Sequence, residues 1–214
     1  MRSLRPLVLI LLALPAFAHA EGVMDEVSPL QQEWATIRYQ MPEAQRARAF
    51  EALEARATEV VSRHPGSAEP LIWDGIILST WAGSKGGLGA LSLVKQARKR
   101  FEQALKINPD ALEGSAYTSL GSLYYQVPGW PIGFGDEDKA EELLKQALTI
   151  APDGIDANYF YGDYLYQQER YAEAVKVLEH AAAAPPRPGR ETADAGRQAE
   201  IAVLLQKVRA EMEG

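Results

Sequence analysis

The chain has 214 residues with 29 acidic against 22 basic side chains, a net charge of −7, and no cysteine. Acidity of this size repels phosphate backbones and anionic headgroups, which argues against nucleic acid or a lipid surface as partner, and the missing cysteine excludes disulfides, thiolate metal sites and cysteine nucleophiles. The length suffices for one well-packed core, and a composition rich in Ala, Leu and Glu favours helix over sheet.

At the N-terminus, Arg2 and Arg5 precede an apolar run from Leu7 to Phe17 that ends in Ala18-His19-Ala20. A short positive segment, an apolar stretch and a small-residue triplet make a secretory signal peptide cleaved after Ala20. A membrane-spanning helix needs roughly 20 apolar residues; this run is shorter and carries Pro15. No cysteine stands at the cleavage point to take a lipid. The expectation is a periplasmic protein, exported from the cytoplasm, that begins at Glu21 with a net charge of −9 once Arg2 and Arg5 are lost, and is not inserted in a membrane. Residues 21–190 read as one helical repeat domain and residues 191–214 as a capping helix.

Residues 29–66 have a helical pattern from Trp34 to Tyr39 and from Ala47 to Ser62, ending at Pro65, and read as a degenerate helix pair. Beyond them a pattern recurs. Ala97, Phe101, Ala104 and Pro109 are spaced by four, three and five residues, and Ala140, Leu144, Ala147 and Pro152 repeat those intervals, as do Ala174, Leu178, Ala181 and Pro186. Small alanines let a neighbouring helix approach, the larger residue fills the seam, and proline stops the helix. Upstream of each set lies a helix with one internal glycine, at Gly75, Gly121 and Gly162. A glycine there costs about 1 kcal/mol relative to alanine, so its recurrence asks for a close helix crossing.

With Leu120-Gly121, Tyr124, Ala140, Ala147 and Pro152 in place, residues 68–187 resemble the tetratricopeptide-repeat family. The resemblance implies an all-α fold, an α-α superhelix of about three to four helix pairs with a concave ligand-accepting groove. Residues 191–212 supply the capping helix, with Ile201, Leu204, Leu205 and Val208 as its apolar stripe.

Two insertions interrupt the repeat, and loops on a rigid scaffold are where function concentrates. From Gly162 to Ala174 is twelve residues, whereas Gly75 to Ala97 is 22 and Gly121 to Ala140 is 19. The first addition centres on Ala82 to Gly89. It reads as a flexible inter-helix turn, because a phosphate loop would follow a strand and end in Gly-Lys-Ser/Thr. The second, Gln126 to Gly135, displays Trp130 and Phe134 among prolines and glycines, either plugging the seam or reaching a pocket mouth. Asp136, Glu137 and Asp138 follow as cap and first turn of the next helix. Both insertions leave the same end of the stack and are expected to form one surface.

Offsets around the glycines place Ile72, Ile76, Ser79, Thr118, Ser122, Tyr125, Tyr159, Asp163 and Tyr166 on the inner face. The candidate ligand-binding residues are Tyr125, Tyr159, Asp163 and Tyr166, with Trp130 and Phe134 from the loop. Tyrosine offers apolar area plus a hydroxyl, suited to a peptide or a small organic ligand. His64 and His180 carry no metal-ligand or nucleophile-base motif, so no catalytic residue, metal or cofactor is assigned. The Gly/Pro-rich loop ending in Gly135-Asp136, followed by Lys139-Ala140 and Leu143-Leu144, is also similar to the T components associated with TRAP transporters. That resemblance implies a periplasmic helical protein that binds or channels small organic ligands beside a solute-binding partner. Two functions follow from the sequence: a non-enzymatic scaffold for a protein or peptide partner, or an accessory protein holding a small organic ligand with a transporter partner. A deep closed cavity favours the second, a long open groove the first.

Overall fold

The computed structural model describes residues 16–213, and the repeated alanine pattern accounts for its construction. Ala97, Phe101, Ala104, Ala140, Leu144, Ala147, Ala174, Leu178 and Ala181 are all fully buried. The large member of each set rests on the glycine of the preceding helix. A Cβ on Gly75 would lie 2.5 Å from the Phe101 ring, one on Gly121 2.9 Å from Leu144, and one on Gly162 2.6 Å from Leu178. The glycines buy three close crossings at the expense of helix propensity.

Among the described residues the chain forms nine helices: α1 (Ala16–Tyr39), α2 (Glu43–Arg63), α3 (Ala68–Lys85), α4 (Gly87–Ile107), α5 (Ala111–Gln126), α6 (Glu137–Ile150), α7 (Ile155–Gln167), α8 (Tyr171–Ala182) and α9 (Glu191–Glu213). The pairs α1/α2, α3/α4, α5/α6 and α7/α8 pack as antiparallel hairpins, and α9 lies against the last pair. The all-α superhelix of about four pairs with a terminal helix is thus the observed architecture.

The stack does not remain open. α1 packs on α3, α3 on α5, α5 on α7 and α7 on α9, and α9 returns to α1, so five helices form a closed inner ring with α2, α4, α6 and α8 outside. The closure depends on Gly196 of α9, where a Cβ would sit 2.4 Å from the ring of Tyr39 at the end of α1. An ion pair between Arg38 and Glu200 at 2.8 Å braces the same seam. Three apolar clusters divide the work among the described residues: one spanning α1 to α6 from Val23 to Leu143 with Ala193 of α9, one joining α6 to α9 through Leu144, Leu165, Leu178 and Ile201, and a smaller one where Leu71 and Ile72 of α3 meet Ala104 and Ala116.

Several local expectations need correction. The first insertion is not a flexible loop: its residues lengthen α3 and α4 to 18 and 21 residues, against 13 and 12 in α7 and α8. Only Gly86 and Gly87, both at φ 63, make the turn. The remaining residues are compatible with helix and stay in it, Ser84 bonding back to the Thr80 carbonyl at 3.1 Å. The third repeat stops at Ala182, before Pro186, with Ala183 as its cap. The degenerate first helix starts well upstream of Trp34, at Ala16. Residues 1–15 of the expected signal peptide lie outside the described residues; of the remainder, the last five form the first turn of α1.

Candidate functional site

Closing the ring forms a half-open chamber of about 490 Å3 lined by all five inner helices. α1 contributes Gln31, Trp34 and Tyr39, and α3 contributes Trp73, Ile76, Ser79 and Thr80. α5 adds Leu112, Glu113, Thr118 and Ser122, and α7 adds Asp156 and Phe160. The α8–α9 connection and α9 close it with Arg187, Arg190, Ala193 and Arg197. One wall is aromatic: Trp34 meets Trp73 and Tyr39 edge-on, each at 5.8 Å, and its indole N–H donates to Thr80 Oγ1 at 2.9 Å. Small hydroxyls also line the chamber, and the protons of two are already committed, Ser79 to the Gly75 carbonyl at 2.8 Å and Ser122 to that of Ser119 at 3.0 Å.

The chamber wall on α5 is strained. Leu112, Glu113 and Gly114 have φ of 49°, 56° and 70°, a left-handed turn that kinks the chain at the start of α5. Left-handed backbone costs a non-glycine residue roughly 1–2 kcal/mol, and such strain concentrates where a cavity is shaped. Space is also tight at Gly114, since a Cβ would stand 3.0 Å from the Cδ1 of Ile150.

A network of arginines and carboxylates forms the chamber's α7–α9 side. Arg187 bonds Asp156 at 2.9 Å and Asp194 through its backbone N–H at 2.8 Å and its Nε at 2.9 Å. Arg197 bonds Asp156 at 2.8 Å and Glu200 at 2.6 Å, and its guanidinium lies 4.2 Å and 4.7 Å from the ring centroids of Tyr159 and Phe160. Burial alone would raise the Asp156 carboxyl, but Arg197 and Arg187 override it and hold it at about 2. Burial pushes the Tyr39 hydroxyl up to about 12, so it stays protonated.

Tyr39 and the α1–α9 seam split the inner face in two. Beyond the seam an open groove of about 880 Å3 runs between the end of α1, α7 and α9, lined by Tyr159, Asp163 and Tyr166 with Arg38, Arg46 and Lys207. The candidate residues Tyr125, Tyr159, Asp163 and Tyr166 are therefore neighbours on one side of the molecule. Tyr125 is drawn inward, donating its hydroxyl to Asp163 Oδ2 at 2.7 Å and meeting Tyr164 edge-on at 5.7 Å. Burial raises the Asp163 carboxyl and pushes the Tyr125 hydroxyl up, with Asp163 adding to the latter.

Trp130 and Phe134 do not join them. Trp130 is 89% exposed at the tip of the second insertion and lines neither cavity, so the expected place at the groove rim is corrected. Phe134 turns inward as a plug, 5.6 Å from the Tyr124 ring with Arg98 over its other side at 5.0 Å. That contact joins the insertion to α4. Ile72 is also moved from groove to core, fully buried between α3 and its neighbours. His64 and His180 are engaged by Glu26 and Asp153, each at 2.9 Å.

Sequence reasoning passed over Arg187, Arg190, Arg197, Trp34 and Trp73. A signal was present: three arginines fall between residues 187 and 197 of an acidic chain, directly after Pro185-Pro186. Its meaning needed the ring, because those residues face Trp34 and Trp73 only when α9 reaches α1.

Residues 132–190 match the family model described as tetratricopeptide repeat, from the end of the second insertion through α6, α7, α8 and the connection to α9. No curated protein gives a match to the chain. Repeats of this kind are in general non-catalytic protein-interaction modules. Within those residues the chain is similar to the tetratricopeptide repeat, and the alanine and glycine helix pairs upstream continue the same construction.

Proposed function

We propose that this repeat protein is an exported, non-enzymatic binding protein that holds a small organic ligand inside its helical ring. The packing of α1 against α9 carries the reading, because it turns a concave groove into a partly enclosed chamber of about 490 Å3. That volume lies in the range of small-molecule sites, and aromatic walls with a few fixed polar groups are their usual lining. It agrees with what the similarity to T components of TRAP transporters implies, an accessory role in solute uptake beside a transporter partner. Export is supported by the geometry of α1. Among the described side chains its inward contacts begin at Val23, within the part that remains after cleavage at Ala20. Native mass spectrometry of protein from an osmotic-shock fraction should give a mass that starts at Glu21 plus a retained small molecule. A bare polypeptide mass in every preparation would count against the chamber, and retention of Met1 against export.

A peptide-binding role has its own observation in the outer groove, which is open, carries charges of both signs and is floored by Tyr159 and Tyr166. If that groove holds a partner segment, Tyr159→Ala should weaken capture by about 2 kcal/mol, the loss of a contact aromatic at a hot spot. A pull-down followed by titration calorimetry measures it.

A further inference from the structure

Arg190 differs from the other arginines of the chamber. Arg187 and Arg197 are each bound by two carboxylates. Arg190 has no carboxylate within ion-pair distance among the described residues, and its Nε is buried without any hydrogen-bond partner. Its guanidinium lies 5.0 Å from the centroid of the Trp73 ring, on the chamber wall. An unsatisfied buried cation is costly, and stacking on an indole offsets only part of that cost. Burial, with Arg187 beside it, lowers its proton affinity.

The charge balance of the network points the same way. Arg38, Arg187, Arg190 and Arg197 face Asp156, Asp194 and Glu200, leaving one positive charge uncompensated. Glu113 also lines the chamber, but it is solvent-exposed on the strained turn of α5 and makes no ion pair with Arg190. The hydroxyls of Ser79, Thr80 and Ser122 already donate to their own helix. They present acceptor oxygens, which repel an anion. Among the described residues Arg190 is then the chamber's one cation without a carboxylate partner, beside the neutral donors Gln31, Thr118 and Ser119. Together with Gln31 it also lines a small vestibule of about 250 Å3 beside α1, so it stands where the chamber meets the surface.

We infer that the chamber selects a ligand with one carboxylate, paired with Arg190, and an apolar body laid against Trp34 and Trp73. This rests on the chamber reading above and adds the ligand's chemical class. A single carboxylate matches the single unbalanced charge; a dianionic phosphate ester would leave a negative charge enclosed.

Trp34 and Trp73 report on occupancy by fluorescence, and Trp130→Phe removes the exposed indole from the background. In that variant of the full chain, freed of retained ligand by unfolding and refolding, 4-phenylbutyrate and octanoate should bind. Each should bind roughly tenfold to a hundredfold more tightly than 4-phenylbutanamide and octanamide, the difference a charge-assisted hydrogen bond makes. Phenyl phosphate should bind more weakly than the carboxylates. Arg190→Met should erase the preference of acid over amide while leaving amide binding within about twofold, and Arg190→Lys should restore part of it. Equal binding of acids and amides by the parent protein would overturn the carboxylate assignment yet keep the chamber, as would tighter binding of phenyl phosphate. No response of Trp34 and Trp73 to any probe would overturn the chamber reading and this inference with it. The acid-against-amide comparison needs no substitution at Arg190, so it holds even if those variants fold poorly.

Discussion

Asp74 and Asp156 each face arginine, yet their carboxyls are displaced in opposite directions. Asp74 is fully buried in α3, and burial raises it to about 6 although Arg100 Nε stands 2.6 Å from Oδ2. In the folded protein it keeps its proton where the unfolded chain has lost it, so stability from this group falls as pH rises from about 4 to about 6. Asp156 behaves in the reverse sense. Held at about 2, it stabilises the fold above the usual carboxylate range and loses that contribution as pH falls from about 4 toward 2. Urea midpoints from pH 2 to 7 should show Asp74→Asn gaining on wild type between pH 4 and 6, by about 3 kcal/mol at most, then running parallel. Asp156→Asn should lose on wild type as pH rises from about 2 to about 4. A flat difference for either variant would mean that the carboxyl is not displaced. The crossing glycines give a second test at this scale. Gly162→Leu should cost about 2–3 kcal/mol or more by forcing Leu178 off its rotamer, seen as a lowered helical melt.

The second insertion shows how one element divides between packing and surface. A Cβ on Gly133 would lie 2.3 Å from the Pro128 carbonyl oxygen, and one on Gly135 1.9 Å from that of Val127. The loop therefore folds back on its own backbone, with Asp136 N–H donating to the Tyr124 carbonyl at 2.9 Å. Asp136 then caps α6, accepting from Lys139 N–H at 2.9 Å. Phe134 anchors the coil between Tyr124 and Arg98, while Trp130 and Ile132 stand exposed. Phe134→Ala should cost about 2 kcal/mol, less than a fully buried phenylalanine would. Trp130→Ala should leave the midpoint within about 0.5 kcal/mol and leave chamber ligands bound as before. Matched thermal melts of the two variants separate these outcomes, and equal losses would refute the division. The capping role of Asp136 was legible from its position before Lys139-Ala140, because caps are local. Which of the two aromatics turned inward was not, since that depends on where α4 places Arg98.

At the scale of the molecule, ring closure decides what the repeat can do. An open superhelix offers a long groove to a protein segment, whereas joining α1 to α9 divides that surface into a half-open chamber and a more open outer groove. The joint rests on Tyr39 lying flat against Gly196, braced by Arg38 and Glu200. Gly196→Val should drive the two helices apart. In the Trp130→Phe background acrylamide should then quench the buried tryptophans, Trp34 at 8% exposure in the closed ring among them, several times more strongly, and a retained ligand should be lost while most helical content survives. Quenching unchanged from wild type would show that the seam is not what encloses the chamber.

From sequence alone came the helix pairs, the glycine crossings, the capping helix and the tyrosine-bearing face of α7, because each rests on spacing within about 35 residues and on side-chain size. Closure was invisible at that range. Tyr39 and Gly196 are 157 positions apart, and nothing in either neighbourhood marks it as the other's partner. Small rotations between successive pairs accumulate along a repeat stack, so whether its ends meet is a property of the sum. That sum brought Arg190 opposite Trp73 and made the chamber a candidate site for a carboxylate ligand.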